Sequence, residues 1–324
     1  MKTIMKILTG LSLILIVVIV SGVLYLFLAL PKTDEVQSLQ VESTPGMIER
    51  GRYLANHVAV CIDCHSERDW QSFSGPIKPV TEGAGGDAFT PEMGFPGTFY
   101  GKNITPYGIG HWSDGELYRI ITTGVTRDDK PVFPFMPFPT YSKMDPSDVM
   151  SIIAFLRTLD SVKNDVPESK PDFPFSLIMR TIPKPAKPEV RPTPDDTLNY
   201  GRYMTMISGC GDCHTPTKKG KPIAGMDFAG GQEYQLPFGI LRATNITPDE
   251  TGIGQWTEEQ FVLRFKMYDN PNMKPIAVEP DEFNTIMPWI MYGGMETRDL
   301  KAIYKYLSSL EPIDNAFERF TLIE

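Results

Sequence analysis

The pentapeptides Cys61-Ile62-Asp63-Cys64-His65 and Cys210-Gly211-Asp212-Cys213-His214 use every cysteine of the 324-residue chain and two of its four histidines. Three chemistries use a Cys-x-x-Cys pair. A structural zinc takes four ligands, with a second pair about 15–20 residues away, and no further cysteine or histidine lies near His214. A thioredoxin-type redox pair belongs in a βαβ setting, of which the residue pattern gives no sign. The third is covalent attachment of c-type haem. There the two thiols form thioethers with the vinyl groups of the porphyrin, and the adjoining histidine comes up under the iron as proximal ligand. Two motifs that leave no spare thiol point to this third chemistry. They predict two haem c groups, held by Cys61 and Cys64 and by Cys210 and Cys213, with His65 and His214 on the irons.

The opposite face of each iron needs a second ligand. His57 and His111 have no counterparts in the other half of the chain and read as loop or surface residues. Methionine is the other common haem ligand, and position must choose among sixteen. Met136-Pro137-Phe138 follows His65 at nearly the spacing at which Met287-Pro288-Trp289 follows His214. A methionine beside aromatics is ordinarily core filling, but a matched pair in a matched context reads as the sixth ligands. Met144 and Met295 are also matched; they adjoin a helix start, read as packing, and form the alternative pair. Asn103-Ile104-Thr105-Pro106 and Asn245-Ile246-Thr247-Pro248 read as turns holding loop backbone at the cofactor edge. Trp112 and Trp256 read either as indole donors to a propionate or as buried aromatics whose N–H finds some other partner.

These residues recur because the chain repeats itself. Glu49 to His65 matches Asn199 to His214, Gly101 to Leu117 matches Ala243 to Phe261, and Phe133 to Leu159 matches Asn284 to Leu310. The order predicts two tandem domains, 46–162 and 197–324, joined by a proline-rich connector at 163–196. Its apolar middle, Phe173 to Ile182, is expected to pack on a domain. Val149, Ile152, Ile153, Leu156 and Leu159, and likewise Leu300, Ile303, Tyr304, Leu307 and Leu310, give one apolar stripe at helical period. Asp145 before Pro146 suits an N-cap, and each Gly-Arg-Tyr stretch reads as a helix leading into a cysteine motif. With little alternating pattern elsewhere, the fold is expected to be mostly helical with long loops.

Taken together, the Cys-x-x-Cys-His motif, the Asn-Ile-Thr-Pro turn with Gly-Ile-Gly and Trp, and the Met-Pro-aromatic before a Leu/Ile-rich helix resemble the class I c-type cytochrome domains of multihaem cytochromes. The resemblance covers both domains and is closest to the cytochrome subunits of membrane-bound bacterial alcohol and aldehyde dehydrogenases. It implies an all-α fold, two tandem class I cytochrome c domains, with His65/Met136 and His214/Met287 as axial pairs. Those subunits commonly have three haem domains where this chain has two, so the resemblance leaves the partner dehydrogenase open.

Residues 1–31 read as a membrane anchor and 32–45 as a tether. Ile7 to Leu30 carries no charge, long enough for the roughly 20 residues a spanning helix needs and longer than the apolar core of a cleaved signal. Lys2 and Lys6 put the N-terminus in the cytoplasm. Both motifs then lie on the periplasmic side of a bacterial inner membrane, where c-type haem is attached. A net charge of −9 argues against nucleic acid as a partner, because phosphate binding needs a basic patch, and fits docking to basic patches on other proteins. The expected role is electron transfer, with no catalysis of its own. The expected partners are a dehydrogenase, a quinol-oxidising complex, an oxidase or another cytochrome. The rival reading is a dihaem peroxidase with one open site, for which His57, Glu67 or His111 would supply the acid–base group.

Overall fold

A computed structural model describes residues 1–236, 239–270, 272–279 and 282–322. Helix α1 (Lys2–Leu28) has no buried residue and meets the connector near its C-terminal end, where Arg180 bonds the Leu26 and Phe27 carbonyls. An 18-residue window of it has a mean hydropathy of 2.9, and among the described residues it is the one helix long and apolar enough to cross a membrane. The first copy of the repeat holds α2 (Pro45–Tyr53), which runs on through a π-turn at Leu54–Val58, then α3 (Cys61–Cys64), α4 (Pro106–Ile109), α5 (Asp114–Thr123), α6 (Phe138–Tyr141) and α7 (Pro146–Leu156). The connector forms a helical turn, α8 (Phe175–Ile178), continued by a 3-10 turn at Met179–Thr181. The second copy follows with α9 (Thr197–Ile207), α10 (Cys210–His214), α11 (Glu258–Lys266), α12 (Trp289–Gly293) and α13 (Thr297–Leu307).

Local chemistry sets these boundaries. Asp145 accepts from the Ser147 amide with Pro146 at the first helical position, which starts α7. Ser113 with Glu116, and Thr257 with Gln260, close capping boxes on α5 and α11. The apolar stripe of α7 buries Val149, Ile152, Ile153 and Leu156, and that of α13 buries Leu300, Ile303 and Leu307. Each stripe meets the helix that leads into a cysteine motif, so α2 lies on α7 and α9 on α13. The glycine of each Gly-Arg-Tyr makes this approach possible. A Cβ on Gly51 would sit 1.8 Å from the Ser151 carbonyl, and one on Gly201 1.9 Å from that of Ala302. The core is continuous across both copies, running from Leu54 and Val58 through Ile152 and Tyr203 to Leu300 and Leu307.

The all-α expectation is overturned. The described residues make the chain only 39% helical and form three small sheets. Strands β1 (Ala88–Phe89), β2 (Gly97–Tyr100) and β3 (Lys170–Pro171) form one antiparallel sheet, with Ala88 opposite Tyr100 and Gly97 opposite Pro171. A hairpin joins β4 (Thr217–Lys218) to β5 (Lys221–Pro222). The third sheet is β6 (Glu233–Leu236), β7 (Gly239–Arg242) and β8 (Phe320–Thr321). The two three-stranded sheets correspond. Each lies between a cysteine motif and its Asn-Ile-Thr-Pro turn, and each takes its last strand from the segment beyond the terminal helix. Buried backbone in these long loops must find partners, and pairing supplies them. Strands of two to four residues leave no alternating pattern to read in advance.

The connector packs only in part. Phe175 meets Phe133 edge-on at 5.6 Å and Met179 is buried, whereas Phe173 and Ile178 are exposed.

Candidate cofactor sites

Each cysteine motif forms one tight helical turn entered through a left-handed residue, Val60 with φ 44° and Gly209 with φ 66°. A β-branched residue is strained in that region, and Val60 is held there directly before Cys61. The four thiols form no disulfide. Burial pushes those of Cys61, Cys64 and Cys210 up to about 12. They are neutral thiols, unlike the low-pKa thiolates of a redox pair, and thioether formation would keep each sulfur uncharged. Among the described residues no group of three or more His, Cys, Asp or Glu converges as a metal cage, so the zinc alternative lacks ligands.

The two histidines are held alike. His65 Nδ1 lies 2.6 Å from the Lys102 carbonyl and His214 Nδ1 lies 2.6 Å from that of Thr244. A carbonyl only accepts, so Nδ1 carries the proton and Nε2 keeps its lone pair. Burial lowers both imidazole pKa values, favouring the neutral form a ligand needs. The carbonyl partners are the residues just before Asn103 and Asn245. Asn103 accepts from the amide and hydroxyl of Thr105 and donates to the Val162 and Asn164 carbonyls. Asn245 accepts likewise from Thr247 and donates to Thr251 and the Ile313 carbonyl. Both asparagine side chains are thus engaged in holding the loop whose carbonyl orients the histidine.

Met136 and Met287 are half-buried against the core and sit in the same local turn. The Phe138 amide donates to the Met136 carbonyl at 2.7 Å, and the Trp289 amide to that of Met287 at 2.8 Å. Between them Pro137 (φ −78°, ψ 49°) and Pro288 (φ −80°, ψ 64°) adopt the inverse γ conformation. The short helix that follows is stapled to the turn before the cysteines. Tyr141 donates to the Ala59 carbonyl at 2.7 Å, and Tyr292 to that of Ser208 at 2.5 Å. Sequence reasoning passed over these tyrosines, although Met-Pro-x-x-x-Tyr recurs in both copies. Met144 and Met295 are buried at 1% exposure each.

Trp112 is half-buried, and among the described residues its indole N–H meets no acceptor, while its carbonyl receives the Arg157 guanidinium. Trp256 is 37% exposed and its carbonyl accepts from Tyr304. His111 is an exposed loop residue. His57 is half-buried in the π-turn rather than a loop residue; its Nδ1 lies 2.8 Å from the Met291 carbonyl, tying the first copy to α12 of the second. Ser74 reinforces that junction. It donates to the Met287 carbonyl at 2.7 Å, and its amide donates to Asn284 at 3.0 Å.

Comparison with known proteins bears on what these paired sites hold. No protein-family profile matches the chain. It is 26% identical over 301 residues to the cytochrome c subunit of the quinone alcohol dehydrogenase of Gluconacetobacter polyoxogenes, covering 86% of this chain and 59% of that one. It is 29% identical over 302 residues to the fructose dehydrogenase cytochrome subunit of Gluconobacter japonicus, covering 85% and 56%. The chain is a homologue of these cytochrome c subunits. A diheme cytochrome c-type protein of Cereibacter sphaeroides is 30% identical over 203 residues, covering 58% of this chain and 63% of that one. The homologue thus spans little more than half the length of the dehydrogenase subunits it matches.

Proposed function

We propose that the protein is a membrane-anchored dihaem cytochrome c that relays electrons, with one haem c in each of the units 46–162 and 197–324. A c-type haem contributes a single iron that is reversibly oxidised and reduced. Everything else falls to the chain. Cys61, Cys64, Cys210 and Cys213 would fix the two porphyrins covalently, and His65 and His214 would present Nε2 to the irons. Met136 and Met287 would close the opposite faces. Two strong axial ligands leave no position for substrate, and methionine raises the potential, which fits a carrier and not a peroxidase. Trp112 and Trp256 would face the propionates. The observation that carries this reading is the paired 2.6 Å contact from each motif histidine to a backbone carbonyl, which commits Nδ1 and frees Nε2 in both copies.

The relatives' names make a dehydrogenase the first partner to test, on the periplasmic side of the inner membrane, with α1 as the single-pass anchor. The test is an optical spectrum of the dithionite-reduced, purified protein with and without carbon monoxide. An unchanged spectrum is expected. A shift in half of the haem would mean one open site and would sink the carrier reading.

A further inference from the structure

The connector between the two copies carries a feature that electron transfer does not use. Phe173, just before α8, is 81% exposed and Ile178, its last residue, 48% exposed, although Phe175 and Met179 of the same stretch are packed inward. The next residue, Arg180, turns the other way. Its guanidinium donates to the carbonyls of Leu26 at 2.7 Å, Leu30 at 2.8 Å and Phe27 at 3.3 Å. It also lies 4.9 Å from the centroid of the Phe27 ring. The last carbonyls of a helix lack intrahelical partners, and here a side chain from the connector satisfies them. A second tie lies just beyond, where the Ala186 amide donates to Asp34 at 2.9 Å. The connector is therefore fastened to the chain on both sides of the point where α1 ends.

We propose that the segment 173–182 is a second membrane contact, lying in the lipid–water interface beside the end of α1 and fixing the tilt of the redox body over the bilayer. This rests on reading α1 as a membrane anchor. A helix rising 1.5 Å per residue crosses a hydrocarbon core of about 30 Å in some 20 residues. The C-terminal carbonyls of α1 that Arg180 binds then lie at the headgroup boundary. An arginine is at home at that depth, its stem in apolar surroundings and its head among polar groups. Phe173 and Ile178 precede it in the same short segment, and exposed apolar side chains there gain by entering the acyl boundary. Lys184 and Lys187 follow, both exposed, with a charge that suits anionic headgroups. A protein partner would be an alternative occupant of the two apolar side chains. The direct tie to the end of α1 favours lipid.

The test uses the full chain reconstituted in lipid nanodiscs, with the photo-crosslinker p-benzoylphenylalanine replacing one residue per sample. The positions are Phe173, Ile178, Leu15 in the middle of α1, and Val190, which is 85% exposed and lies beyond the tie to Asp34. Phe173 is so exposed that an aromatic in its place leaves folding intact. Mass spectrometry then reads the adducts. Lipid adducts at Phe173, Ile178 and Leu15, with loss of the adduct at Val190, are expected. Adducts at Leu15 alone would overturn the proposal and leave the anchor standing. Absence of lipid at Leu15 would overturn the anchor, and the proposal with it. Crosslinks from Phe173 to a co-purifying protein in place of lipid would also overturn it.

Discussion

The phenol of Tyr53, in the first copy of the repeat, donates to Asp299 in the second at 2.6 Å. The relationship is reciprocal, because Tyr203 of the second copy donates to Asp148 of the first at 2.7 Å. Each phenol also accepts from the amide that starts the partner's terminal helix, Glu296 for Tyr53 and Asp145 for Tyr203. Both carboxylates are fully buried. The repeats are thus joined by an exchange of equivalent side chains about a pseudo-twofold, and the same helices that carry the tyrosines lead straight into the cysteine motifs.

Removing either hydroxyl should weaken this joint unequally. Asp148 keeps Arg50 at 3.0 Å as well as Arg191. Asp299 keeps Tyr200 at 3.0 Å and the largely exposed Arg298 at 3.4 Å. Tyr53→Phe should therefore cost about 1.5–3 kcal/mol, the range for a hydrogen bond to a charged group, and Tyr203→Phe less. Denaturant unfolding of the haem-loaded protein measures both. Equal losses, or none, would remove the exchanged pairs from the account of the joint.

The same phenols predict an alkaline transition. Burial, reinforced by Asp299, pushes Tyr200 up to about 12 and raises Tyr53 further. Burial and Asp148 raise Tyr203 likewise. A group whose pKa is higher folded than unfolded stabilises below the unfolded value, near 10 for phenols, and loses that contribution as pH rises through the folded one. Stability should be flat approaching pH 10 and fall above it. Tyr53→Phe/Tyr203→Phe should flatten the fall. Ultraviolet titration of tyrosinate alongside stability checks this, and coincident titration of all tyrosines near the ordinary value would refute it.

Much of this arrangement could be read in the residues beforehand, and the reasons are local. Asp145-Pro146 and the Val149/Ile152/Ile153/Leu156 stripe mark α7 because capping and helical period act within a few residues. The cysteine motifs were legible as candidates because covalent haem attachment, where it occurs, demands both that spacing and those residue types. The sheets could not be read, since β1 and β3 are two residues each, too short for an alternating pattern, and β3 pairs with a strand far back in the chain. Nor could the Tyr53–Asp299 exchange, whose partners are 246 residues apart. Nor could the junction made by His57, whose acceptor is 234 residues away.

Asn103 offers a test of how the histidine is oriented. Asn103→Ala would leave the Thr105 amide and the Asn164 carbonyl without their partner, and the Val162 carbonyl with only the Thr105 hydroxyl at 3.5 Å. A cost of about 1–3 kcal/mol follows from unpaired buried groups. Because the turn carries the Lys102 carbonyl against His65 Nδ1, the change should also shift one of the two reduction potentials, which a merely structural loss elsewhere would not do. Redox titration of the variant against the parent protein decides it. Two unmoved potentials would separate the turn from the histidine.

The methionines can be told apart by substitution in the reduced protein. If Met136 and Met287 close the irons, Met136→Ala should open one site to carbon monoxide and Met287→Ala the other, each shifting about half of the haem absorbance. The double variant should shift all of it. Met144 and Met295, buried at 1%, should behave as packing. Met144→Leu nearly conserves volume and should cost less than about 1.5 kcal/mol, with no carbon monoxide binding. The position of Tyr141 sharpens the contrast, since its bond to the Ala59 carbonyl at 2.7 Å staples the Met136 loop to the turn before Cys61. Tyr141→Phe should leave Met136 present but less firmly held. Slow, partial carbon monoxide binding is expected, between the parent's none and the half-site opening of Met136→Ala. Carbon monoxide binding by Met144→Leu, with Met136→Ala inert, would reverse the assignment of the two pairs.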